Sequence, residues 1–216
     1  MNKRAKEPAQ KRIAEILKLL KREYPDAHCS LDYTTPFELL IATILSAQCT
    51  DARVNLVTKD LFQKYRGPKD YLEVPEEELQ NDIRTTGFFR NKTKSIRGTS
   101  AKLMGEFGGQ VPSTMDQLLT LPGVARKTAN VVLGNAFHIT SGIVVDTHVS
   151  RVSQRLALTK ATQPEKIEQD LMKLVPRKEW ILFSHRLIMH GRYVCKAPKP
   201  DCPNCVLNHI CPSSTV

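Results

Sequence analysis

The sequence has no apolar run long enough to cross a bilayer. Its most apolar stretch, around Phe37 to Ala47, falls short of the roughly 20 residues a spanning helix needs. The N-terminus has no apolar core of the kind that marks a secretory signal, so a soluble, intracellular chain is expected. No segment alternates apolar and polar residues with period two, which argues against a sheet. Long linkers, internal repeats and low-complexity tracts are missing too. Acid is in short supply: 22 Asp and Glu stand against 32 Lys and Arg, a formal net charge of +10. That field favours a polyanionic partner, although charge alone does not separate a nucleic-acid binder from a merely basic protein.

At 216 residues the chain can bury a real core, as one domain or two small lobes. Its cations are clustered. Residues 90–102 carry Arg90, Lys92, Lys94, Arg97 and Lys102 with no acid, and residues 1–23 hold eight Lys and Arg against three Glu. The first run follows Gly87-Phe88-Phe89 and suggests a binding face; the second reads as a solvated helix face.

The periodicity is helical almost throughout, and the expected fold class is all-α. Ile13, Ile16, Leu17 and Leu20 mark one helix that Pro25 stops. Thr35-Pro36-Phe37-Glu38 is a capping box with proline at the first helical position, opening a helix apolar on all sides and hence buried. Asp51 is expected to cap the next helix, which Gly67-Pro68 ends. Pro75 opens another that stops near Gly87, and Asn91 is expected to cap one that runs to Gly108-Gly109. A short helix precedes Pro122, and others are expected over about 125–137, 147–157, 164–174 and 179–191.

The richest segment runs from Leu121 to His148. Pro122-Gly123 makes a tight turn directly before a helix, a geometry that aims backbone N–H groups at an anion. Lys127 lies in the first turn of that helix. Asp146, at the end of the apolar Ile143-Val144-Val145, follows 19 residues later. Near a helix N-terminus and partly desolvated, a lysine is shifted towards the neutral amine that a nucleophile requires. On the residues alone, Lys127 reads better as a phosphate contact, while Asp146 can both cap the helix after it and stabilise developing positive charge. His148 reads as structural.

Four of the six cysteines, Cys195, Cys202, Cys205 and Cys211, crowd the C-terminus with the spacing C-x6-C-x2-C-x5-C. In an intracellular chain this argues for metal rather than disulfides. Four thiolates suit tetrahedral zinc or an iron–sulfur cluster, and spacing does not choose between them. Lys196 and Lys199, on the loop between the first two cysteines, read equally as cations that a metal staple would hold towards phosphates and as ordinary exposed lysines.

Together the hairpin, the Lys127 and Asp146 pair, the cysteine spacing, Leu45-Ser46-Ala47-Gln48 and His190-Gly191-Arg192-Tyr193 resemble the endonuclease III family of helix-hairpin-helix DNA glycosylases with lyase activity. The resemblance covers nearly the whole chain. It implies two helical lobes. One, over residues 27–139, is a six-helix barrel with the hairpin at about 110–137. The other, residues 1–26 with 140–216, carries a 4Fe–4S cluster on the four cysteines. The implied partner is damaged duplex DNA, bound across the groove between the lobes by a cytoplasmic, nucleoid-associated monomer.

The implied activity is removal of oxidised pyrimidines followed by nicking. Lys127 would be the nucleophile and Asp146 its carboxylate helper. Gln48 would fill the hole left by a flipped nucleotide, and Phe88, by itself readable as a core aromatic, would be the wedge. Asn91, Lys92, Leu121, Gly123, Ala125, Thr128, Lys196 and Lys199 complete the implied DNA contacts. A monofunctional adenine or mismatch glycosylase would usually lack Lys127, and a non-catalytic DNA-binding redox sensor would have no need of it. One departure stands out: the family hairpin usually reads Pro-Gly-x-Gly, and Ala125 replaces the second glycine.

Overall fold

A computed structural model describes residues 7–216. It is built of helices: α1 (Ala9–Glu23), α2 (Pro36–Leu45), α3 (Asp51–Lys64), α4 (Pro68–Glu73), α5 (Glu76–Asp82), α6 (Phe89–Glu106), α7 (Met115–Leu119), α8 (Arg126–Ala136), α9 (Thr147–Arg155), α10 (Pro164–Leu174) and α11 (Trp180–Tyr193). No strand occurs among the described residues, so the all-α class holds. The chain divides into two compact units. One is Cys29–Ser141; the other joins the N-terminal segment, through His28, to Gly142–Val216. Lys3, Arg4 and Lys6 of the N-terminal basic run lie outside the described residues.

The Cys29–Ser141 unit is organised around α2. Thr35 caps that helix by accepting from Glu38 N, while the Glu38 carboxylate reaches back to Thr34 N. With its ends satisfied, α2 can be apolar on every side; Leu39, Leu40, Ile41 and Ala42 are fully buried. Val54 and Leu61 of α3, Ile96 and Leu103 of α6, and Val132 and Leu133 of α8 belong to the same core. Each such side chain contributes roughly 1.5–3 kcal/mol by leaving water.

The other unit packs amphipathic stripes together: Ile13, Ile16 and Leu20 of α1, Val149 and Val152 of α9, Ile167 and Leu171 of α10, and Phe183 and Leu187 of α11. Arg12, buried on α1, donates to Ile210 O at 3.1 Å and so ties the first helix to the last turn of chain.

Three helix starts differ from expectation. The cap of α3 is Thr50, which accepts from Arg53 N; Asp51 is the first helical residue and accepts from Ser30 Oγ at 2.6 Å. Gly67-Pro68 does not only end a helix but opens α4, with proline at its first position. Asn91 does not cap α6, because Phe88 takes that place in a left-handed conformation at φ +48° and leaves Asn91 inside the first turn.

Candidate active site and nucleic-acid interface

The α7–α8 hairpin is seated on α6. Thr99 Oγ1 donates to Pro122 O at 2.7 Å, and Gly98 offers Pro122 a flat surface, since a Cβ there would stand 3.1 Å from its ring. Gly123 is required twice over. Its φ is +76°, and a Cβ would lie 2.6 Å from Ser95 Cβ. Leu121 is buried and closes the turn by accepting from Val124 N at 3.1 Å; its side chain is a core anchor, so only its backbone can serve a ligand. Ala125 is the N-cap of α8 with φ −90° and ψ 171°, extended backbone that any residue adopts. The alanine in place of glycine therefore introduces no backbone strain.

Arg126 and Lys127 begin α8, which has no side-chain cap, so the positive end of the helix dipole is not countered by a capping oxygen. Lys127 is exposed and Thr128 half-buried. The desolvation that would assist Lys127 must come from whatever covers it.

Asp146 belongs to the other unit. Ile143, Val144 and Val145 before it are buried, and Val144 N donates to Ser184 Oγ at 3.1 Å, which anchors the approach to α11. The Asp146 carboxylate accepts from Val149 N at 2.8 Å as the N-cap of α9. It is half-buried, with one oxygen fixed by the helix it starts. His148, in the same turn, packs on Gly191, where a Cβ would meet its own Cβ at 2.9 Å. That contact is structural.

Gln48 and Phe88 are both exposed, and both have positive φ, at +54° and +48°. Phe88 is 61% exposed, so it is not a core aromatic. Left-handed backbone in an L residue costs roughly 1–2 kcal/mol, and such strain persists only where surroundings enforce it.

Lys92 corrects the sequence reading. Its side chain is buried, not presented to phosphates, and Nζ donates to Leu45 O at 2.7 Å and to Thr86 O at 2.8 Å. Burial pulls its ammonium below the usual lysine range, partly offset by Cys49. Arg97 also turns inward, donating to the carbonyls of Tyr71, Leu72 and Val74 at the end of α4. Of the run over 90–102, Arg90, Asn91 and Lys94 remain on the surface.

Cys195, Cys202, Cys205 and Cys211 line one cavity with His190 and the apolar Val152, Leu156 and Leu207. All six cysteines are free thiols. Burial pushes Cys211 up and Cys205 up to about 11, an environment that disfavours bare thiolates and so suits a positive centre. Among the described residues no group of three or more His, Cys, Asp or Glu is placed to hold a single metal ion. The loop is clamped from α9: Arg155 donates to Lys196 O and Ala197 O, each at 2.8 Å, and Arg151 to Cys195 O at 3.1 Å. Lys196 and Lys199 are exposed on it. His190 Nε2 lies 3.5 Å from Cys205 Sγ, and its Nδ1 lies 3.1 Å from Tyr24 OH. Nothing local marks Arg151, Arg155 or His190 for these tasks, because their partners are distant in sequence.

A two-unit, all-helical protein with a glycine hairpin before a lysine-bearing helix and a thiol-lined cavity has the features of a DNA base-excision glycosylase. The model for HhH-GPD superfamily base excision DNA repair proteins matches residues 41–177. Endonuclease III of Synechocystis sp. is 58% identical over 95% of this chain and 94% of its own length, and that of Bacillus subtilis 50% identical over 93% and 92%. Among solved structures, a trapped endonuclease III–DNA covalent intermediate superposes with a TM-score of 0.91 at 50% identity, covering 95% of this chain and 96% of the other. The chain belongs to the endonuclease III family of HhH-GPD proteins.

Proposed function

We propose that this chain is a bifunctional DNA N-glycosylase and AP lyase of base excision repair. It removes oxidised pyrimidines from duplex DNA and then nicks the strand. The carrying observation is Lys127 in the first turn of α8, directly behind a hairpin that Gly123 seats on α6. A family relative trapped as a covalent intermediate with DNA supports a covalent route.

Duplex stacking hides the target sugar, so the nucleotide must first be turned out, at a cost of a few kcal/mol. The hairpin backbone and the positive end of α8 hold the phosphates, while Gln48 fills the vacated place and Phe88 wedges the stack. Lys127 Nζ, as the neutral amine, attacks C1′. The bond to the base breaks, and the base leaves with the electron pair and takes up a proton. The amine loses its proton, the sugar ring opens, and a Schiff base joins Nζ to C1′. Loss of a proton from C2′ then expels the 3′ phosphate, which is the nick. Water hydrolyses the Schiff base and frees the lysine.

Asp146 has the chemistry to stabilise positive charge at C1′ and to accept and return the proton that Lys127 sheds. Its bond to Val149 N orients the carboxylate without consuming the second oxygen.

The four C-terminal cysteines would hold a 4Fe–4S cluster, which supplies the folding of the loop rather than glycosidic chemistry. The four thiols line one cavity, and the resemblance that carries their C-x6-C-x2-C-x5-C spacing supports the cluster over zinc. The loop would carry Lys196 and Lys199 to the DNA backbone. Acting on chromosomal DNA, the protein would work in the cytoplasm at the nucleoid, as a monomer. Among the described residues no helix is long and apolar enough to cross a membrane.

Borohydride reduction decides the central step. With DNA carrying an abasic site, the wild-type chain is expected to form a stable adduct and Lys127→Ala to form none while still binding. An active wild-type sample that yields no adduct would sink the Schiff-base route.

A further inference from the structure

Lys92 lies in the first turn of α6, and its ammonium bridges two chain ends. Leu45 closes α2 and Thr86 closes a 3-10 turn; both carbonyls point past the end of their helix, and Lys92 Nζ meets them at 2.7 and 2.8 Å. Its backbone N–H also donates to Phe88 O at 3.1 Å. Three residues beyond Leu45 stands Gln48, and two beyond Thr86 stands Phe88, both with left-handed backbone. The same group therefore touches the roots of both strained loops. A cation suits this place, because charge-assisted bonds to carbonyls are shorter and stronger than neutral ones and complement the negative end of a helix.

We infer that Lys92 is a positioning residue: a buried ammonium that ties the Gln48 loop to the Phe88 loop, so that both side chains enter a duplex as one unit. This rests on the base-excision reading above. The tie fixes the separation of the two loops in the free protein. A duplex that accepts Phe88 between bases is then offered Gln48 at a set distance, and neither insertion has to be organised afresh. The role differs from a phosphate contact, because the Lys92 side chain is buried and meets the DNA only through the loops it holds.

Lys92→Met keeps the length of the stem and removes the ammonium. An abasic site in single-stranded DNA needs no hole filled, while the same site in a duplex does. We expect Lys92→Met to slow borohydride trapping on the duplex on the order of tenfold, as small misplacements of positioning groups do, and to leave trapping on the single strand unchanged. A 2-aminopurine opposite the site should lose the fluorescence change that binding produces. In a Gln48→Ala/Phe88→Ala background, Lys92→Met should add no further loss.

Equal losses on both substrates, no loss on the duplex, or a further loss in the double-alanine background would each overturn the inference. Should Lys92→Met fail to fold, the two alanine variants decide: joint insertion makes the double variant no worse than the worse single one, and independent insertion multiplies their effects. If the wild-type chain forms no adduct on either substrate, the base-excision reading itself falls. If it reacts and Lys92→Met is slowed equally on both, only the coupling falls.

Discussion

Gly123→Ala is the sharpest test of how the hairpin is built. The methyl group would enter a backbone at φ +76°, which costs an L residue roughly 1–2 kcal/mol. It would also stand 2.6 Å from Ser95 Cβ and 2.8 Å from Ser95 Oγ, closer than a Cβ tolerates, on a helix whose backbone cannot yield. Overpacking of this kind adds about 1–3 kcal/mol. The sum, roughly 2–5 kcal/mol, lowers the melting temperature on the order of 10 °C in a chain of this size. Displacing the turn from α6 also moves its N–H groups, so DNA affinity should fall and its salt dependence flatten as phosphate contacts are lost.

Two comparisons separate the parts. Ser95→Gly in the same chain relieves the clash but not the backbone strain, so it should restore part of the loss, measured against Ser95→Gly alone. Ala125→Gly, two positions along, should change stability by less than about 1 kcal/mol and leave affinity intact, because the N-cap at φ −90° is open to any residue. Thermal melts and salt titrations of binding to an abasic duplex read all four variants. A Gly123→Ala protein that melts with the wild type, or a Ser95→Gly change that restores nothing, would refute the argument.

Other outcomes follow from the same geometry. Asp146→Asn keeps a good N-cap, so the melt should hold while trapping slows about 10²–10⁴-fold; equal loss of stability would make Asp146 only a cap. His185 is buried, and burial holds it down at about 4 against an ordinary 6.5, with His28 acting in the same direction. The folded state therefore binds fewer protons than the unfolded one between those values. Its contribution is complete above pH 6.5 and is lost as pH falls towards 4, about 2 kcal/mol of it by pH 5. His185→Gln should flatten that part of an acid-stability curve, and an unchanged slope would count against it. Cys202→Ser should lower iron content and the broad absorbance near about 400 nm that such clusters show; zinc in the wild-type protein would overturn the cofactor assignment.

Local chemistry was legible in the sequence. The Thr35 and Glu38 cap, the apolar α2, and Asp146 as the cap of α9 each depend on residues within one turn, and the structure repeats them. The left-handed Phe88 was harder to see: an asparagine three residues on looked like the better cap, and only the chain path through Gly87 decides between them. Direction was not legible. Lys92 and Arg97 sit among cations in sequence, yet both point inward, because carbonyls 6 to 47 residues away accept from them. The double need for Gly123 was likewise hidden, since Ser95 belongs to another helix. What the sequence conveyed about the site was its cast of residues; which atoms restrain them came from packing between distant segments.

The bond from Arg12 to Ile210 joins residues 198 positions apart. During synthesis α1 emerges first, yet the surface that covers Ile13, Ile16 and Leu20 is made last. The Cys29–Ser141 unit is one continuous stretch of chain and can complete on the ribosome. The first helix must wait, with its apolar stripe bare, until α10 and α11 follow. Maturation thus runs from the middle of the chain outwards. Loss of α10 and α11 would strand α1 in nascent chains, and would show as chaperone capture and turnover before it showed as a defect in repair.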